Sequence, residues 1–208
     1  MSFNTLFNES GLDSVLSQAK TLVKAECYWI YQYMLHHKPK VIMEMGVQYG
    51  CSTRVFLETA KWVGIDIELH SWDIIDSIKR RCVDKNQFHF HKEDITGKEQ
   101  KTIDIYKPDL IFFDAHPYYL TKTMMQICLD KKIDFMSHDV ALTMYESVRD
   151  RSNLFKDKTT YGAWELRVME ELIGKEVLTE EVVNKEDYDV CFHRCKWGLA
   201  ILRHNRDK

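Results

Sequence analysis

The chain has 208 residues, with Lys+Arg 29 against Asp+Glu 32 and a formal net charge of −3. Hydrophobic residues make up 45% and charged residues 29%, and only 8 Gly and 3 Pro are present, so a globular composition is expected and a collagenous or linker-rich chain is excluded. The balanced charge argues against a nucleic-acid-coating surface, and no apolar run is long enough for a transmembrane helix.

The first nine residues carry neither a basic leader nor a continuous apolar stretch, so a cytoplasmic protein without a secretory signal is expected. Six scattered cysteines (Cys27, Cys51, Cys82, Cys128, Cys191 and Cys195) fit reduced thiols. Cys191-Phe192-His193-Arg194-Cys195 lacks the second ligand pair that a structural zinc requires.

Residues 12–38 carry apolar side chains at three- and four-residue spacing and predict one helix, capped near Ser10 and stopped by Pro39. Val41–Met45 then reads as a buried strand, followed by a glycine-containing turn and a helix from Ser52 to Lys61. Further strands are predicted at Ile67–Asp73, Gln87–His91, Asp109–Asp114 and Ile133–Asp139, with polar helical stretches between them. Apolar strands alternating with helices imply an α/β fold with a largely parallel sheet covered on both faces. Tyr188–Arg194 and Trp197–Arg203 are separated too briefly for a crossover, so they predict an antiparallel hairpin. Residues 1–39 read as a helical extension and 40–208 as one ligand-binding domain.

Ligands of open parallel sheets bind beyond the carboxyl ends of the strands. Each of those ends carries an acid or an acid–His group: Glu44, Asp73, Glu93-Asp94, Asp114-Ala115-His116 and His138-Asp139. The first turn holds Gly46 and Gly50 without the three-glycine spacing of dinucleotide enzymes. Gly46 permits a sharp turn, Gly50 permits close approach of a ligand, and Ser52-Thr53 offer hydroxyls and amides at a helix start. Glu44 would repel a pyrophosphate and suit a cationic ligand pole. Asp73 suits the two hydroxyls of a ribose, and Asp94 suits an adenine amino group. Together they describe a site for an adenosine bearing a cationic amino-acid tail.

The series Glu44-x-Gly46-x-x-x-Gly50-x-Ser52-Thr53, then Asp73, Asp94 and Asp114, resembles the motifs of class I S-adenosylmethionine-dependent methyltransferases. The resemblance spans residues 38–203 and implies a Rossmann-like, seven-stranded sheet whose antiparallel last strand matches Trp197–Leu202. Leu110–His116, Ser137–Val140 and Tyr161–Leu166 are similar to a branch of small-molecule O-methyltransferases that act on sugars and natural products and include cephalosporin-hydroxylase-like proteins. It implies S-adenosylmethionine as cofactor, a hydroxylated small molecule as substrate, and neither nucleic acid nor membrane as partner; a homo-oligomer is left open.

In several members of that branch, acids after the fourth and fifth strands hold a divalent cation. Asp114 and Asp139 match those positions, while His138 stands where a second acid often stands, which turns the preference from Mg²⁺ toward a cation that accepts imidazole. The competing role for His138 or His116 is general base toward the substrate hydroxyl. Candidates for substrate selection are Tyr28, Trp29 and Tyr33 and residues 142–164, with Tyr145, Arg149, Arg151, Tyr161 and Trp164, although aromatics at helical spacing usually belong to the core. Lys79-Arg80-Arg81 reads as a solvated face, and His36, His37, His89, His91 and His193 as structural or surface residues. An NAD(P)-dependent oxidoreductase and a non-catalytic cofactor-binding protein are the alternatives. Amino methylation of nucleic-acid bases is disfavoured, because Asp114–Tyr118 only superficially resembles the motif it would need.

Overall fold

Short apolar runs become strands and amphipathic stretches become helices, as the patterning dictates. The computed structural model describes residues 3–13, 22–75, 87–115, 117–142 and 164–205. The chain forms two compact units, residues 1–94 and 95–208.

The first unit contains α1 (Phe3–Glu9), α2 (Lys24–His37), β1 (Val41–Met45), α3 (Cys51–Val63), β2 (Glu68–Asp73) and β3 (Phe88–Lys92). β1 and β3 both pair parallel with β2. The expected helix over 12–38 is interrupted before Lys24. There the Glu26 carboxylate accepts the Val23 amide at 2.8 Å, closing the first turn of α2 in place of a longer helix. Its other end matches expectation: Lys38 adopts a left-handed conformation (φ 48°) directly before Pro39. Phe3 packs edge-on against Tyr28, and Arg54 Nη2 donates to the Ser10 carbonyl at 2.7 Å, so α1 is tied to α2 and α3.

The second unit contains α4 (Glu99–Tyr106), β4 (Leu110–Phe113), α5 (Tyr118–Lys131), β5 (Asp134–His138), α6 (Glu165–Leu172), a 3₁₀ turn (Lys175–Leu178), β6 (Val182–Asn184), β7 (Tyr188–His193) and β8 (Leu199–His204). Its strand order is β4-β5-β8-β7-β6. β4 and β5 are parallel, whereas β8 runs antiparallel to both β5 and β7. All four residues of β4 and all five of β5 are buried; β4 is apolar throughout, whereas β5 carries Asp134, Ser137 and His138 into the interior.

The predicted parallel strands and antiparallel C-terminal hairpin are therefore present, with eight strands among the described residues instead of seven. The addition is β6, three residues set between Glu181 and Lys185. Only Val183 of the three is buried, so the strand is too short for its alternation to register in sequence. Among the described residues no helix is long and apolar enough to cross a membrane. Cys27, Cys51, Cys128, Cys191 and Cys195 are free thiols.

One glycine controls the turn that follows β5. Gly198 has φ +83°, and a Cβ there would lie 2.6 Å from the Ala141 amide nitrogen. Ala141 N also donates to the Trp197 carbonyl at 2.7 Å, so two backbone segments meet where no side chain fits. Gly198→Ala is expected to destabilise the protein by roughly 2–4 kcal/mol through left-handed strain plus overpacking, read as a lowered denaturant midpoint. A variant as stable as the parent would contradict this packing.

Candidate active site

The turn after β1 is built around buried carboxylate–hydroxyl contacts. Glu44 is fully buried and accepts hydrogen bonds from Ser52 Oγ at 2.5 Å, Thr53 Oγ1 at 2.7 Å and Ser71 Oγ at 2.5 Å. A buried carboxylate must be satisfied by donors, and these three hydroxyls supply them. The Glu44 carboxylate thus faces the Ser52, Thr53 and Ser71 hydroxyls. Glu44, Ser52 and Thr53 brace the turn from beneath. Gly46 (φ 88°) and Gly50 (φ 78°) adopt left-handed conformations, with Gln48 (φ 46°) between. The Gly46 amide donates to the Trp72 carbonyl at 3.0 Å.

Asp73 ends β2 and reaches back to this turn. Its Oδ2 accepts the amides of Val47 and Gln48, both at 3.0 Å, and its Oδ1 accepts the Ile75 amide at 2.9 Å. A carboxylate has about four acceptor sites, so one remains for an incoming hydroxyl, and accepting two would displace a loop amide. The side chain is half-buried, and Asp94, after β3, is exposed. Asp73 therefore fits a polyol ligand while holding the turn, two jobs that sequence spacing does not separate.

In the second unit, Asp114 after β4 and His138-Asp139 at the end of β5 converge. His138 Nδ1 lies 3.0 Å from Asp114 Oδ1 and 3.3 Å from Asp139 Oδ1, and one ligand atom from each lies within 4.8 Å of the others. Asp139 sits in the left-handed region (φ 58°), a conformation that Asp tolerates better than most residues. It is held next to the Val140–Ala141 backbone that packs on Gly198. His138 is buried, its Nε2 included, whereas both carboxylates keep some exposure. His116 lies outside the described residues.

Nδ1 of His138 has two mutually exclusive uses. Protonated, it donates to the two carboxylates and leaves the lone pair on Nε2. Deprotonated, it joins Asp114 and Asp139 as a two-oxygen, one-nitrogen ligand set, which suits Mn²⁺, Fe²⁺ or Zn²⁺ better than Mg²⁺. The burial of Nε2 counts against the first arrangement serving as a general base, because a base must reach the proton it removes.

Two of the candidate substrate-selecting residues take the core alternative. Tyr33 is buried and stacks on His37 at 4.4 Å. Trp164 is buried edge-on against Tyr118. The Tyr118 hydroxyl donates to Glu171, whose carboxyl falls to about 2: burial is the largest single influence and opposes the fall, but hydrogen bonds from Lys122, Tyr118 and Arg167 together outweigh it. Tyr28 keeps partial exposure, at 37%. Tyr145, Arg149, Arg151, Tyr161 and Lys79-Arg80-Arg81 lie outside the described residues.

A histidine constellation was not foreseen. His70, His89 and His91 come together with Glu68 across β2 and β3, so His89 and His91 are not isolated. Burial holds both His70 and His91 below the usual imidazole value. The period-two spacings Glu68-x-His70 and His89-x-His91 on adjacent predicted strands were the available signal.

No protein-family model and no curated protein matches the chain. Solved structures do. An O-methyltransferase from Bacillus cereus in complex with SAH matches at 14% identity over 99% of this chain and 93% of that one, with a TM-score of 0.63. An SAH-bound methyltransferase from Podospora anserina matches at 16% over 96% and 88%, TM-score 0.60. A methyltransferase from the mycinamycin biosynthetic pathway, in complex with Mg and SAH, matches at 16% over 95% and 54%, TM-score 0.58. Likeness at such identities is likeness of fold: the chain has the α/β, Rossmann-like fold of these methyltransferases.

Proposed function

We propose that the protein is an S-adenosylmethionine-dependent methyltransferase acting on a hydroxyl oxygen of a small molecule such as a sugar or natural product. Residues 40–208 would form the catalytic domain, with 1–39 as a helical extension, in a cytoplasmic setting and without a nucleic-acid or membrane partner. The observation that carries the reading is the Asp73 carboxylate seated on the Val47 and Gln48 amides. A dinucleotide needs such turn amides for its pyrophosphate, and here a carboxylate already occupies them and would repel it. The remaining acceptor site suits a ribose hydroxyl, with Asp94 toward the base. The SAH bound in the structures of like fold supports the same reading.

Asp114, His138 and Asp139 fit a divalent cation by donor type and convergence. Such an ion, when bound, would lower the pKa of a coordinated hydroxyl. The chain's own contribution is to orient the acceptor: the two partly exposed carboxylates take the hydroxyl's hydrogen bond, and His138 holds them in position. Because the sulfonium methyl is already activated, alignment with the oxygen supplies much of the rate.

Thermal denaturation tests the cofactor assignment. S-adenosylhomocysteine at a hundred times its Kd should add about 2.7 kcal/mol of stability, and NAD should add none. Stabilisation by NAD alone would replace this reading with the oxidoreductase one. Transfer of labelled methyl to a panel of hydroxylated acceptors, with Mg²⁺ or Mn²⁺ added, separates a catalyst from a protein that only binds the cofactor.

A further inference from the structure

The pairing register of β2 and β3 assembles a group of ligating side chains far along the chain from Asp114, His138 and Asp139. His70 pairs directly with His89, and Trp72 with His91. Side chains two apart on a strand share a face, so Glu68, His70 and Trp72 on β2 stand beside His89 and His91 on β3. Glu68 Oε1 lies 2.9 Å from His70 Nε2 and 3.9 Å from His89 Nε2, and one ligand atom from each of the three falls within 4.8 Å of the others. Tetrahedral ligands at about 2.0 Å from a metal stand about 3.3 Å apart, inside that range.

We infer that Glu68, His70 and His89 form a binding site for a borderline divalent cation of the Zn²⁺ class, with water completing the coordination. The donor set, two imidazoles and one carboxylate, is one that zinc accepts and that Mg²⁺ and Ca²⁺ do not favour. The outer support is in place. His70 Nδ1 lies 3.1 Å from His91 Nε2, so a His70 that gives its Nε2 lone pair to a metal can donate its other ring N–H to His91. His91 is itself stacked on Trp72 at 4.3 Å with an interplanar angle of 13°. His70 is almost wholly buried, while the side chains of His89 and Glu68 are 44% and 55% exposed. The site thus has a fixed inner ligand and two outer ligands through which the ion enters. Its structural effect is to clip β3 to β2, the strand that ends in Asp73.

Co²⁺ and Zn²⁺ titrations of the full chain provide the test, with His89→Ala and Glu68→Gln as the informative variants. Both residues are exposed, so their loss leaves the core intact, and circular dichroism checks that it does. Asp139→Ala controls for the other ligand group. The expected result is saturable Zn²⁺ binding and the intense visible absorption of tetrahedral Co²⁺ in the parent chain and in Asp139→Ala. His89→Ala should weaken that binding by more than about 100-fold, beyond the loss typical of removing an outer-shell partner. Zn²⁺ should also raise the melting temperature of Asp139→Ala and not that of the Asp139→Ala, His89→Ala double variant. Binding unchanged in both His89→Ala and Glu68→Gln, abolished by Asp139→Ala, or absent from the parent chain overturns the proposal.

Discussion

His138→Ala is expected to lower kcat by about 10²–10⁴-fold while leaving the affinity for S-adenosylhomocysteine within twofold of the parent. The side chain lies between two carboxylates, with Nδ1 at 3.0 Å from Asp114 and 3.3 Å from Asp139. Removing it leaves those oxygens facing one another without the group that joins them, and the acceptor hydroxyl loses a defined position. His138→Asn separates the two uses of Nδ1. Its amide nitrogen can donate to both carboxylates from nearly the same place but cannot ligate a metal as imidazole does. Recovery of activity in the Asn variant would assign His138 to holding the carboxylates; loss in both variants would assign it to coordination. His138→Asp adds a third oxygen donor and should move activation toward Mg²⁺. Full activity of His138→Ala, measured with labelled cofactor on an accepted substrate, would remove His138 from the reaction.

The sheet was legible because its strands are short apolar runs with a distinct period, and β1 begins and ends where the pattern says. The break before Lys24 was not, since the pattern of apolar residues runs through Leu22 and Val23 while the deciding contact is a single carboxylate–amide bond from Glu26. The strand-end rule located Asp73, Asp114, His138 and Asp139 in sequence, but not the direction in which each side chain points. Glu44 shows the difference: the sequence places an acid after β1 but does not bring the Ser52, Thr53 and Ser71 hydroxyls onto it. Ser71 carries no motif signal, because its partner lies 27 residues earlier on the neighbouring strand. The Glu68–His70–His89 group was hidden for the same reason, since cross-strand register sets which side chains meet and period alone does not.

Asp73→Ala is expected to weaken S-adenosylhomocysteine binding by roughly 10²-fold or more while leaving the protein folded, from the loss of charge-assisted hydrogen bonds of about 1.5–3 kcal/mol each. Two effects add. The ligand loses a carboxylate acceptor, and the Val47, Gln48 and Ile75 amides lose their shared partner, so the turn that shapes the site loosens. Asp73→Asn tells them apart less gently than its size suggests, because its NH₂ group would face an amide N–H wherever it replaces an accepting oxygen. Amide hydrogen exchange at Val47 and Gln48 reports the turn, and calorimetric titration reports the ligand. Faster exchange with unchanged affinity would make Asp73 a brace of the turn alone and sink its assignment to the ribose. Weakened binding with both amides still protected would mean that the carboxylate's remaining acceptor site is what the cofactor uses.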